Sequence, residues 1–232
     1  MMAQLDQDGF ALIPSILPPA QVASLISTLT RLESHIAIRE KAGATYAVRR
    51  LCYLSPAVRQ LSTSAPIRAL IEPILGPAAR VVRSLLFDKT ATANWKVPWH
   101  QDLTIAVKHQ RNTPGFGPWS VKAGIPHVQP PREVLENMLT LRLHLDDCGP
   151  DNGPLRVLPG SHKRGVLNAA AIADLRQQSH EHLCTLQTGG ALLMRPLLLH
   201  ASSPATIPGH RRVIHLEFAA SDLPNELQWH ES

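Results

Sequence analysis

Leu139-Thr140-Leu141-Arg142-Leu143-His144-Leu145 alternates without a break, leucine at every odd position and a polar residue at every even one. A period of two is the mark of a β-strand with one apolar face. The other face, Thr140, Arg142 and His144, is polar enough to look into a wet cavity, so the strand belongs to an antiparallel sheet with its core on one side only. Residues 211–219 repeat the pattern. Arg212, Ile214, Leu216 and Phe218 form an apolar face, and Arg211, Val213, His215 and Glu217 the more polar one. Arg211 is therefore expected to look into a cavity between strands.

Working outward, residues 8–13 predict a short strand ended by Pro14, and Val81 to Phe87 a second. A third is expected from His100 to Val107, with 155–158 and 191–200 following. Helical spacing of Val22, Leu25, Ile26, Leu29 and Leu32 predicts an amphipathic helix from Pro19 to about Ser34, and further helices are expected over 65–75, from Pro130 to about Met138, and over 169–178. Residues 39–55 read as loop with room for one strand. About eight short strands after a helical N-terminal third predict a mainly β fold with flanking helices, a sandwich or barrel. Residues 108–131 carry prolines and glycines and read as irregular. Phe116, Trp119 and His127 in that stretch favour a lid over a disordered linker, which has little use for large aromatics.

At 232 residues the chain is expected to form a single domain: a helical part at 1–79, a core at 80–220 and the lid at 108–131. The formal charge is +5, yet lysine and arginine are dispersed and no basic run argues for nucleic acid. Cys52, Cys148 and Cys184 are three, widely spaced, which argues against a disulfide framework and fits a reducing cytoplasm. No apolar stretch reaches the ~18 residues of a membrane span, and no leader pattern opens the chain.

Trp99-His100-Gln101-Asp102 places an imidazole and a carboxylate two residues apart. On a strand both would point to one face and offer a metal two adjacent ligands. A third ligand would complete a 2-His-1-carboxylate facial triad with open positions for substrate and O2. His200, His210 and His215 are the candidates for it.

The ordered set His100-Gln101-Asp102, then Asn152-Gly153-Pro154-Leu155 running to Pro159-Gly160-Ser161-His162, then His200-x-Ser202 and Arg211, resembles the phytanoyl-CoA dioxygenase family. The opening Asp8-Gly9-Phe10-Ala11-Leu12-Ile13-Pro14 is similar to that family's N-terminus, so the resemblance covers nearly the whole chain. It implies a double-stranded β-helix (jelly roll, cupin-like) core and an Fe(II)- and 2-oxoglutarate-dependent dioxygenase that hydroxylates a C–H bond of a small molecule using O2, with release of succinate and CO2. By the family's spacing, His100, Asp102 and His200 would hold iron, while Arg211 and Ser202 would hold the far carboxylate of 2-oxoglutarate. Lys89 matches a basic position common in the family and, with Thr140, is assigned to the same co-substrate. Related halogenases lack the carboxylate ligand, so Asp102 argues for hydroxylation or desaturation.

For the substrate itself, Arg142, Trp119 and Gln101 are the candidate contacts, and Lys108, Lys122 and Arg142 hint at an anionic molecule. His162 and Ser161 are expected to brace their turn. The competing reading is a non-catalytic metal- or ligand-binding jelly roll, and the expected assembly is a monomer or homodimer without nucleic acid or membrane partners.

Overall fold

The Leu139–Leu145 alternation becomes a strand over Met138–His144 whose seven residues are all buried. The computed structural model describes residues 1–32, 38–41, 44–207 and 209–231, so the Ser34 end expected for the first long helix lies outside the described residues, as does Pro208. The helices are α1 (Met2–Asp8), α2 (Pro19–Thr30), α3 (Leu51–Leu54), α4 (Pro56–Ser62), α5 (Ala65–Leu75), α6 (Arg132–Glu136) and α7 (Ala169–Gln178). The strands are β1 (Phe10–Ile13), β2 (Ile38–Lys41), β3 (Ala44–Arg49), β4 (Arg80–Lys89), β5 (Val97–His100), β6 (Ile105–Ala106), β7 (Trp119–Lys122), β8 (Ile125–Val128), β9 (Met138–His144), β10 (Leu155–Val157), β11 (His182–Cys184), β12 (Ala191–Met194), β13 (His200–Ser202) and β14 (Arg211–Ala219).

Two antiparallel sheets make the jelly roll. The larger runs β1-β12-β9-β14-β4-β3-β2 and the smaller β11-β10-β13-β5. The outer face of the larger sheet carries Leu139, Leu141, Leu143, Ile214, Leu216 and Phe218, which pack on Val22, Leu25 and Leu29 of α2 and Ile67 and Ile71 of α5. Its inner face meets the smaller sheet at one end through Phe10, Leu192, Met194, Leu155 and Val157. Each strand's alternation thus separates a helix-covered core from the space between the sheets.

Several expectations need correction. The N-terminal third is not only helical: β1 and β3 pair with β12 and β4, so this segment completes the larger sheet. Residues 39–55 supply two strand segments and α3 rather than a loop with one strand. The strand expected over 100–107 stops at His100 and resumes at Ile105, and the strand expected over 191–200 breaks after Met194, where Pro196 has no N–H for a ladder. Residues 108–131 are not wholly irregular. They contain the β7–β8 hairpin, turned through Ala123 and Gly124, both at positive φ, and it joins β6 in a three-stranded sheet. Among the described residues no helix is long and apolar enough to cross a membrane.

The turn before β12 is clamped to the entry of α2. The Gly189 carbonyl accepts the N–H groups of Ile16 and Leu17. Gly189 sits at φ +80°, and a β-carbon there would lie 2.5 Å from the Leu17 carbonyl oxygen. Gly189→Ala is expected to destabilise the fold by about 2 kcal/mol. Thermal unfolding followed by circular dichroism should then fall by roughly 4–8 °C; an unchanged melting temperature would refute the close approach.

Candidate active site

Strands β13 and β5 pair so that His200 lies directly opposite His100. The two rings sit 4.2 Å apart, centroid to centroid. His100 Nδ1 lies 2.8 Å from the Pro98 carbonyl and His200 Nδ1 2.9 Å from the Leu198 carbonyl. A carbonyl only accepts, so each Nδ1 carries the proton and each Nε2 presents its lone pair. Asp102 is not on the strand. Its backbone N–H donates to the Pro196 carbonyl at 2.9 Å, a contact that turns the chain after His100 and brings the carboxylate back. Asp102 Oδ1 lies 3.8 Å from His100 Nε2, and Oδ2 lies 3.9 Å from His200 Nε2. One ligand atom from each of the three falls within 4.8 Å of the others.

Two neutral imidazoles and one carboxylate match the donor set of the facial triad, and their orientation fits an ion between them. Desolvation raises the Asp102 pKa, but His200 and His100 outweigh it and hold the carboxyl at about 2. Burial pushes His200 down to about 4. Both ligands are thus in their metal-binding protonation state at neutral pH.

A cavity of about 110 Å³ extends from the triad between the sheets. Ser202 and Arg211 close its far end, and Leu85, Phe87, Trp95 and Leu155 form apolar walls. Arg211 donates to the Gly153 carbonyl, which also accepts from Ser202 Oγ at 2.9 Å. Lys89 is opposite Arg211 in the sheet, is almost fully buried, and donates to Ser202 Oγ at 2.7 Å. Burial, reinforced by the Arg211 charge, pushes the Lys89 ammonium down to about 7. The guanidinium and hydroxyl at this end of the cavity are suited to an acid group, and the Lys89 ammonium, which does not line the cavity, stands behind them on Ser202 Oγ.

Of the other expected contacts, Arg142 lines the cavity and Thr140 does not. Thr140 is buried in the sheet beside Glu217. The Gln101 carboxamide is committed to backbone: it donates to the Gly165 and Leu197 carbonyls at 2.8 and 2.7 Å and accepts from Leu167 N–H at 2.8 Å. Those bonds brace the loop that carries Asp102. Trp119 packs with Val128 in a separate apolar cluster, on the hairpin face opposite Lys122 and His127. Of the remaining histidines, His210 pairs with Asp88 at 2.7 Å, away from the triad. His215 accepts from Arg142 Nη1 at 3.0 Å through Nδ1, so its Nε2–H donates to Glu217 Oε1 at 3.2 Å, and Glu217 is in turn held by Arg83 at 2.7 Å. Ser161 Oγ accepts the Leu199 N–H at 2.8 Å, next to His200, which is the bracing role expected of that turn.

Arg83, Leu85 and Phe87 were missed. Counting back by twos from Lys89 along β4 would have found them, because i, i+2 and i+4 share a face.

The sequence model of the family described as phytanoyl-CoA dioxygenase matches residues 5–213. Ectoine dioxygenase of Nocardia farcinica is 25% identical over 247 aligned positions, spanning 94% of this chain and 76% of that protein. Ectoine dioxygenase of Bordetella bronchiseptica is 26% identical over 169, spanning 69% of this chain but 48% of that protein. Among solved structures, EctD from S. alaskensis with 2-oxoglutarate and 5-hydroxyectoine superimposes with a TM-score of 0.75 at 21% identity, covering 94% of this chain and 74% of that one. The carbocyclase SnoK from nogalamycin biosynthesis superimposes at 0.73 and 15% identity, covering 95% and 83%.

The interior also sets a pH dependence. Burial pushes His127 and His200 to about 4 and His144 to about 3, against an unfolded value near 6.5. Below about pH 6.5 the unfolded chain binds protons that the folded chain refuses, so stability falls as pH drops toward 4. Each histidine is expected to contribute on the order of 1 kcal/mol per pH unit in that window. Urea unfolding of the chelator-treated protein at pH 7, 6 and 5 measures it, and a flat profile would contradict the neutral buried histidines.

Proposed function

The chain belongs to the phytanoyl-CoA dioxygenase family, and from that premise we propose that it is an Fe(II)- and 2-oxoglutarate-dependent dioxygenase that hydroxylates a C–H bond of a small molecule, releasing succinate and CO2. The observation that carries the reading is the triad His100, Asp102 and His200, with both Nε2 lone pairs turned toward one carboxylate. Bound there, Fe(II) would supply the redox and Lewis-acid chemistry that couples O2 to oxidative decarboxylation of 2-oxoglutarate and oxidation of the substrate.

The chain's own residues do the positioning. Arg211, fixed by Gly153, supplies a planar fork for the distal carboxylate of 2-oxoglutarate, and Ser202 and Lys89 supply further donors beside it. Leu85, Phe87, Trp95 and Leu155 exclude water along the chain of the diacid. Asp102 fills the ligand position that a halide would need, which supports hydroxylation or desaturation over halogenation. The curated relatives act on ectoine by name, so ectoine is the first substrate to assay. The three buried, unpaired cysteines support a reducing compartment such as the cytoplasm.

Anaerobic addition of Fe(II) and 2-oxoglutarate is expected to produce a weak visible charge-transfer band. Asp102→Ala should reduce it and should lower succinate formation by at least about a hundredfold through lost metal affinity. Arg211→Gln should instead weaken 2-oxoglutarate by roughly tenfold to a hundredfold at unchanged metal binding. A wild type without the band, or an undiminished band in Asp102→Ala, would sink the proposal.

A further inference from the structure

A second cavity, of about 510 Å³, lies against the helix-covered face of the larger sheet, and its size is that of a small-molecule site. Residues of α3, α4 and α5, the start of β4, the end of β14 and the tail at His230 line it, and none of them lines the metal cavity. Four arginines reach it, Arg50, Arg59, Arg68 and Arg80, against a single carboxylate among the described residues, Glu231. Ala79, Val81 and Phe218 add an apolar wall.

Pairing divides the four arginines. Arg68 is tied to Glu72 and to the Pro77 and Ala79 carbonyls, and Arg80 to Asp222. Glu231 accepts the Ser84 N–H at 2.8 Å through one oxygen and the Ser84 hydroxyl through the other, so its carboxylate is committed to β4. Arg50 and Arg59 remain, and neither is paired with an acid among the described residues. Arg50 lies over the Tyr53 ring, 4.2 Å from its centroid, a stacking that orders the guanidinium and leaves its N–H groups free. Its backbone is a second, independent feature. At φ +57° and ψ +42° it is left-handed, a conformation that glycine takes more cheaply, so the chain carries a guanidinium where the turn alone favours glycine. The two arginines border one space. Burial lowers the His230 pKa and Arg50 lowers it further, while burial pushes the Cys52 thiol up to about 11 and Arg59 acts against that; His230 and Cys52 are both walls of this cavity.

We propose that this cavity is a second ligand site, separate from the reaction centre, in which Arg50 and Arg59 hold a phosphate group. Two guanidinium forks match the charge and the oxygens of a phosphate, which carries about −1.5 to −2 at neutral pH. The phosphate is either the free ion or the head of a small ester, whose organic part the apolar wall would receive. The inference goes beyond the oxygenase reading and does not depend on it.

The test uses the full chain without added metal. Inorganic phosphate and phenyl phosphate are titrated separately by calorimetry, with chloride holding ionic strength constant, into wild type, Arg211→Gln, Arg59→Met and Arg50→Gly. Saturable binding of at least one is expected; tighter binding of phenyl phosphate indicates an ester as the ligand, and otherwise the ligand is the free ion. Binding should persist in Arg211→Gln, whose change lies in the metal cavity. Arg59→Met, at an exposed position of α4, and Arg50→Gly should each weaken it about tenfold or more. Glycine relieves the left-handed turn, so the melting temperature of Arg50→Gly should not fall, which separates loss of the guanidinium from loss of the fold. No saturable heat with either probe, binding as tight in Arg59→Met and Arg50→Gly as in wild type (an adventitious ion only), or binding lost in Arg211→Gln, would overturn the proposal.

Discussion

The cross-strand register that sets His200 opposite His100 is the constraint on which the site depends. It needs both strands held at their ends, and the chain provides this with short polar contacts to backbone. Ser161 holds Leu199 immediately before His200, and Gln101 spans three backbone groups immediately after His100. A one-residue slip of either strand would turn its histidine to the other face. The tautomers follow from the same geometry. Each imidazole donates Nδ1–H to the carbonyl two residues earlier, so strand conformation alone aims Nε2 inward.

What could be read in the sequence was whatever follows from period two. The alternation at 139–145 and 211–219 identified which residues face the space between the sheets, and Arg211 and His215 are found there. The same reasoning misjudged Asp102. His-x-Asp was taken as one face of one strand, whereas the strand ends at His100 and the carboxylate returns through a loop anchored on Pro196. The ligand set survived because a loop can deliver a side chain to the same point that a strand would. Gln101 shows the opposite error: a polar residue between two ligands invited a substrate role, but its partners are backbone groups 64 to 96 residues away in sequence. No local pattern encodes such partners. The hairpin at 119–128 was hidden by its own composition, since Pro126 and Gly124 read as breakers although Gly124 serves the turn.

Beside its apolar walls the space between the sheets carries several buried charges, which is unusual for the middle of a β-sandwich and has to be held by pairing. Arg83, Glu217, His215 and Arg142 form one continuous chain of contacts across β4, β14 and β9. Because Arg142 donates to His215, the histidine must stay neutral and must donate to Glu217. Burial raises the Glu217 pKa, but Arg83 and His215 together outweigh it and keep the carboxylate ionised. One anion thus steadies two arginines through a single imidazole, and Arg142 is left facing the cavity at fixed orientation over the Phe87 ring.

That economy of acidic groups divides the cavity by charge. Lys89 and Arg211 crowd one another beside Ser202, while Arg83 and Arg142 are tied to Glu217, the first directly and the second through His215. Like charges so placed make the interior less stable than a paired one would be, and burial adds to the cost, as the lowered pKa of Lys89 records. Anions entering from outside reverse both effects. A diacid that spans from Arg211 to the triad would neutralise the first pair, whereas the arginines held on Glu217 need no such anion.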